Sequence, residues 1–146
     1  MKISFYTATV EKSLSEIQRI IREYWQDCLP YKDVKIENFF DFVKNIKYTP
    51  DPFGMELFSR PGITIARGEG DCDCKTIICC AYFLAKNIPT GFCIVSDSWD
   101  KDYHHIFAMY RDTNTGEWID YDCTYPTGKI GQKRNWYKRK NFEVKK

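Results

Sequence analysis

Apolar residues recur at Ile17, Ile20, Ile21, Tyr24 and Cys28, the three- and four-residue spacing of one buried helix face. Ser13 and Glu16 precede them in capping-box order and Pro30 follows, which predicts a first helix over about residues 14–28. Ile36, Phe39, Phe40, Val43 and Ile46 form a second stripe that ends near Lys47, with Asp33 placed to cap it. Residues 48–70 hold three prolines, four glycines and no sustained period, and are expected to form a long ordered loop. Phe53, Met55, Leu57, Phe58, Ile63 and Ile65 make that loop too apolar for free solvent. A third helix is predicted from Cys72 to Lys86, burying Ile77, Cys80, Ala81 and Leu84, with Pro89 just past its end.

Beyond Pro89 the period changes to two. Residues 92–96, 103–111 and 117–122 read as strands, the last two joined by the turn-rich stretch 112–116. From Gly128 basic residues alternate with Trp136, Tyr137 and Phe142, as in an edge strand. Helices first and an antiparallel sheet afterwards is an α+β arrangement. A chain of 146 residues suits one domain, with a helical lead-in over 1–35, a core over 36–126 and a basic segment over 127–146.

Composition narrows the class. With 43% apolar, 29% charged and 16% aromatic residues, the chain is neither disordered, collagen-like nor coiled coil. No run approaches the ~18 apolar residues of a membrane helix, and the N-terminus lacks the cleavage pattern of a signal peptide. A cytoplasmic protein with no membrane contact is therefore expected. Seven cysteines, five of them within residues 72–93, cannot all pair in one chain, which favours a reducing compartment. The net charge of +2 hides a split: from Thr124 onward eight basic residues face Glu143 alone.

Chemistry concentrates after the glycine-rich stretch Gly68 to Asp71. Cys72 opens a helix there, where unpaired amides and the helix dipole favour a thiolate and supply half of an oxyanion hole. A thiol nucleophile needs a base, and the chain has two histidines, His104 and His105, on one predicted strand. Adjacent strand residues face opposite ways, so one of them at most looks toward the helix; the two faces are about equally apolar. Asp120 and Asp122, on the next strand and on one face, are the candidates for orienting the imidazole. Cys, His and Asp in this order are the layout of a papain-like thiol triad.

Four segments then resemble the transglutaminase-like cysteine protease superfamily, in particular its small phage and prophage members. They are residues 45–57, Gly68-Glu-Gly-Asp-Cys-Asp-Cys74, His105-Ile-Phe107 and Trp118-Ile-Asp-Tyr-Asp122, which are similar to the family's "IRYVPDPRG.E", "G.GDCDD", "HVY" and "W..LDPT". The resemblance spans about residues 36–126. It implies a papain-like core and acyl transfer through a thioester, with Cys72 as nucleophile, His105 as base and Asp122 as orienting acid; Asp120 is the alternative acid. Three departures stand out. Cys74 replaces the second aspartate of "GDCDD", Asp-Cys-Thr-Tyr-Pro replaces "DPT", and Met109 stands where many members carry glutamate.

These readings imply a peptide or protein substrate, with hydrolysis or transamidation left open, and no cofactor. Zinc is not expected, because no Cys-x-x-Cys pair exists and Cys72 and Cys74 point about 200° apart on a helix. Cys79, Cys80 and Cys93 read as small core residues. The basic segment could contact nucleic acid or an acidic protein, or simply balance an acidic body. The alternative to an enzyme is a catalytically degenerate phage structural or host-interaction protein, found in the host cytoplasm or the virion. Tyr48 and Trp25 are options for the second oxyanion donor.

Overall fold

The computed structural model describes residues 7–50 and 58–146, with side chains from residue 11 onward. Helix α1 runs over Thr7–Tyr24 and continues as a 3-10 helix over Trp25–Tyr31. The expected boundaries shift at both ends. No breaker precedes Ser13, so the helix extends before it and the supposed capping box lies inside, where Glu16 pairs with Arg19 instead. At the other end Pro30 brings no amide for the carbonyl of Gln26, and the chain tightens to three residues per turn. Cys28 stays buried in that tight segment, its thiol directed at the Ile78 carbonyl 3.7 Å away.

Helix α2 covers Ile36–Lys44; its N-cap is Lys35, without a side-chain cap, so Asp33 does not serve as expected. Phe39 stacks on Tyr82 at 3.8 Å between centroids, and Phe40 meets Tyr121 edge-on at 5.0 Å. The loop predicted over 48–70 contains structure. Strand β1 (Lys47–Tyr48) pairs in parallel with β2 (Glu69–Gly70), and helix α3 fills Pro61–Arg67 between them. Pro61 starts α3 where a missing amide costs nothing, and Gly68 ends it at φ 74°, so the punctuation marked a short helix rather than an open loop. Phe53, Met55 and Leu57 lie outside the described residues.

Helix α4, Cys72–Ala85, is the centre of the molecule, and every residue in it is buried. The single stripe expected for it is therefore too narrow: α1, α2, α3 and the sheet cover it all round. The sheet has strand order β5-β4-β3-β6, antiparallel throughout, with β3 at Thr90–Ser96, β4 at His105–Arg111, β5 at Trp118–Tyr121 and β6 at Lys138–Val144. One face presents Phe92, Ile94, Ile106, Ala108, Tyr110 and Tyr121 to the α4 core. The opposite face carries Cys93, Val95 and Phe107, covered by Trp136. β6 passes so close to β3 that a Cβ on Gly91 would lie 2.1 Å from the Phe142 carbonyl oxygen. The chain thus has an α+β architecture with helices packed against an antiparallel sheet. No helix among the described residues is long and apolar enough to cross a membrane.

Candidate active site

Asp71 fixes the head of α4. It stands at the N-cap with extended backbone, and its carboxylate accepts the amide of Cys74 at 3.1 Å, an arrangement that stabilises a helix start by about 1 kcal/mol. Cys72 is the first helical residue and is fully buried. Gly70, just before the cap, must be glycine on steric grounds, since a Cβ there would meet Cys74 Cβ at 2.8 Å and Thr64 Cγ2 at 3.0 Å. That close packing presses β2 and α3 against the first turn of α4.

The two histidines part company at the start of β4. His104 precedes the strand; its Nε2 accepts the amide of Asp97 at 3.1 Å and lies 3.3 Å from the Asp97 carboxylate. His105 is the first strand residue, 2% exposed, and its Nε2 lies 2.8 Å from Asp122 Oδ2. With Asp122 ionised, Nε2 carries the proton and Nδ1 keeps the lone pair. The ring is further held by Tyr125, Phe107 and Trp136, with centroids 5.4, 5.7 and 5.9 Å away. Asp122 Oδ1 meanwhile accepts the amide of Thr124 at 3.0 Å, so both carboxylate oxygens are engaged.

Asp120 does different work. Arg139 grips it with two hydrogen bonds of 2.7 and 2.9 Å, and Lys133 approaches to 3.9 Å. This carboxylate ties β6 across the sheet face, whereas the His105 imidazole is hydrogen-bonded to Asp122. The basic segment makes further contacts: Arg134 lies over the Tyr125 ring at 4.3 Å, Lys138 over Tyr103 at 5.0 Å and Lys146 over Trp25 at 4.1 Å. Lys146 also reaches Asn87 beyond the C-terminal end of α4. Trp25 therefore sits at the wrong end of that helix to serve an oxyanion beside Cys72. Tyr48 sits on β1 beside Gly70, next to the cap.

His105 occupies the sheet face opposite the row that packs on α4, and Cys72 stands at the head of that helix. β4 begins and β5 stops at one end of the sheet, and the head of α4 lies there too, because Lys75 Nζ reaches the Cys123 carbonyl at 3.4 Å and the Lys44 carbonyl at 3.4 Å. No hydrogen bond joins Cys72 to His105 among the described residues. Tyr125 and Trp136 beside His105, and Lys75 in the first turn of α4, carry no motif that marks them in the sequence. A lysine in a helix reads as solvent-facing, and the only signal against that reading was its position one turn after Cys72 on a helix apolar all round. Burial lowers the ammonium pKa of Lys75.

No family model matches the chain, and no curated protein matches it by sequence. Solved structures do share its fold. LapG from Legionella pneumophila superposes in its calcium-bound form with a TM-score of 0.54 at 19% identity, covering 80% of this chain and 75% of LapG. Its EGTA-treated form gives 0.52 at 20% identity, with 80% and 73% covered. A protein from Cytophaga hutchinsonii described as a candidate cysteine protease gives 0.50 at 12% identity, covering 89% of this chain and 50% of that one. At such identities the likeness shows a shared fold alone, helices packed against an antiparallel sheet.

Proposed function

We propose that the protein transfers acyl groups from amide bonds, peptide or isopeptide, through a thioester on Cys72, as a transglutaminase-like thiol enzyme of the small phage type. The observation that carries this reading is the part-buried hydrogen bond between His105 and Asp122 at the end of the sheet where β4 begins. In the proposed cycle His105 Nδ1 takes the thiol proton and the thiolate adds to the amide carbonyl. The amide of Cys72, at the positive end of α4, stabilises the oxyanion. Nδ1–H then protonates the departing amine, leaving the thioester. Water, deprotonated by His105, completes hydrolysis; a second amine in its place completes transamidation. Asp122 holds the ring and supports the imidazolium without itself taking the proton.

A second reading, a fold-sharing phage structural or host-interaction protein without catalysis, is favoured by the full burial of Cys72 and its lack of a hydrogen bond to His105. Limiting iodoacetamide at pH 6.5 with peptide mapping separates the two. The enzyme reading expects Cys72 to alkylate at least tenfold faster than every other thiol, and His105→Ala to remove most of that lead while His104→Ala leaves it. Burial pushes Cys28, Cys74 and Cys80 up to about 12, so they supply an inert background, Cys74 from the same helix turn. Equal labelling of Cys72 and Cys74 in the folded protein would sink the enzyme reading.

A further inference from the structure

Three buried thiols point at backbone carbonyls: Cys28 at Ile78, Cys80 at Gly91 and Cys93 at Phe107, with sulfur–oxygen distances of 3.7, 3.2 and 3.7 Å. Cys79 and Cys123 differ. Their Sγ atoms face each other at 3.6 Å, with the residues 1% and 3% exposed. We propose that Cys79 and Cys123 are a modification site, a dithiol that a hydroperoxide closes into a disulfide tying the chain after β5 to α4 and drawing Asp122 off His105.

A disulfide places its sulfurs ~2.05 Å apart, so about 1.5 Å must be closed. α4 is packed on all sides and gives little. Cys123 lies two residues past β5, held there by the long contact from Lys75 to its carbonyl. The movement therefore falls on residues 122–124, which include both ends of the Asp122–Thr124 turn and the carboxylate bound to His105. Cys79 and Cys123 line one crevice with Lys75, Thr76, Phe107, Asp122 and Thr124, too narrow as it stands to admit a water, so the oxidant enters as residues 122–124 part from α4. Cys79 is fixed in the packed helix, where burial raises its pKa, and Cys123 stands on the segment that moves, so Cys123 is assigned as the attacking sulfur. Its thiolate breaks the O–O bond of the hydroperoxide, forming a sulfenic acid; the alcohol or water that leaves carries the thiol proton. Cys79 then displaces water from the sulfenic sulfur, so two thiols supply the two electrons that the peroxide accepts.

The linkage stands apart from the proposed function, whereas its effect on Cys72 rests on that reading. Full-length protein is treated with a slight excess of hydrogen peroxide, any free sulfenic acid is returned to thiol with arsenite, and a non-reducing digest is mapped. The expected product is a cross-linked peptide containing Cys79 and Cys123, two hydrogens lighter than the free pair, unchanged in Cys80→Ala and lost in Cys79→Ala. Absence of that cross-link in the wild-type protein overturns the proposal without recourse to any variant. Cys72 alkylation is then expected to fall at least fivefold in the cross-linked protein and to recover with dithiothreitol, with no such fall in Cys123→Ala. A cross-link that leaves the Cys72 rate unchanged overturns the coupling to Asp122. A Cys72 that shows no lead even in the reduced protein is instead a failure of the enzyme reading.

Discussion

Asp120 and Asp122 are separated by one residue on the same face, yet their surroundings assign them opposite tasks. Asp122 meets a neutral or protonated imidazole and a backbone amide. Asp120 meets the guanidinium of Arg139, whose side chain is 28% exposed against 8% for the carboxylate. Removing the guanidinium leaves a charge in the sheet face with Lys133 3.9 Å away. Arg139→Met is accordingly expected to cost about 2 kcal/mol in urea unfolding, less than the ~3–5 of a fully buried pair because water screens the arginine. Measured on molecules that remain folded, the Cys72 alkylation rate should be unchanged. A rate that drops with an unaltered midpoint would favour Asp120 as the orienting acid.

At the scale of elements, α3 is the piece that neither period nor propensity announced. A seven-residue helix is too short to persist alone, and a remote carboxylate anchors it. Asp27, on the 3-10 segment, accepts the Gly62 amide at 3.0 Å and the Arg60 guanidinium at 2.9 and 2.7 Å, so it caps α3 from another element. Hydrogen bonding from Arg60, then from Gly62, holds the Asp27 carboxyl below its ordinary value. A depressed folded pKa contributes stability above the unfolded value of 3.8, and that contribution is lost as pH falls through the folded one. Acid titration of the melting temperature below pH 4 should therefore be steeper in the wild-type protein than in Asp27→Asn. Asp27→Ala should cost about 1 kcal/mol at pH 7 through the lost cap. Identical acid limbs for the wild-type and Asn proteins would show that the clamp contributes nothing.

For the molecule as a whole, part of the charge split between body and C-terminal segment is met inside the fold, where Arg139 and Lys133 face Asp120. β6 lies at the sheet edge, paired with β3 from Thr90↔Val144 to Ser96↔Lys138, and β3 is buried along its whole length. The segment leading into β6 supplies Tyr125 and Trp136 to the His105 ring. Truncation after Tyr137 is expected to expose β3 and abolish the cooperative thermal transition. Lys133→Glu together with Lys140→Glu, which removes charge but keeps the strand, should leave the transition within a few degrees of wild type. A truncated protein that still melts cooperatively would mean that the core closes without β6.

Sequence alone suffices for the elements whose residues agree with one another locally: the amphipathic stripes of α1 and α2, the helix opening at Cys72, and the period-two strands. It also placed Cys, His and Asp in the order a thiol triad needs, because those residue types stand at an element start or end that local signals mark. Periodicity left open which histidine faces Asp122, since both strand faces are about equally apolar, and only the resemblance favoured His105. That choice was made where the ladder with β3 begins, which puts His105 in the sheet and turns His104 toward Asp97. It also read α3 as loop and α4 as one-sided, because a cap supplied by Asp27 and a cover supplied by three helices and a sheet are contacts between distant segments. The tertiary structure alone decided that Asp120 belongs to Arg139 and that Lys75 is buried. Both outcomes depend on long side chains reaching across elements, for which no local period exists.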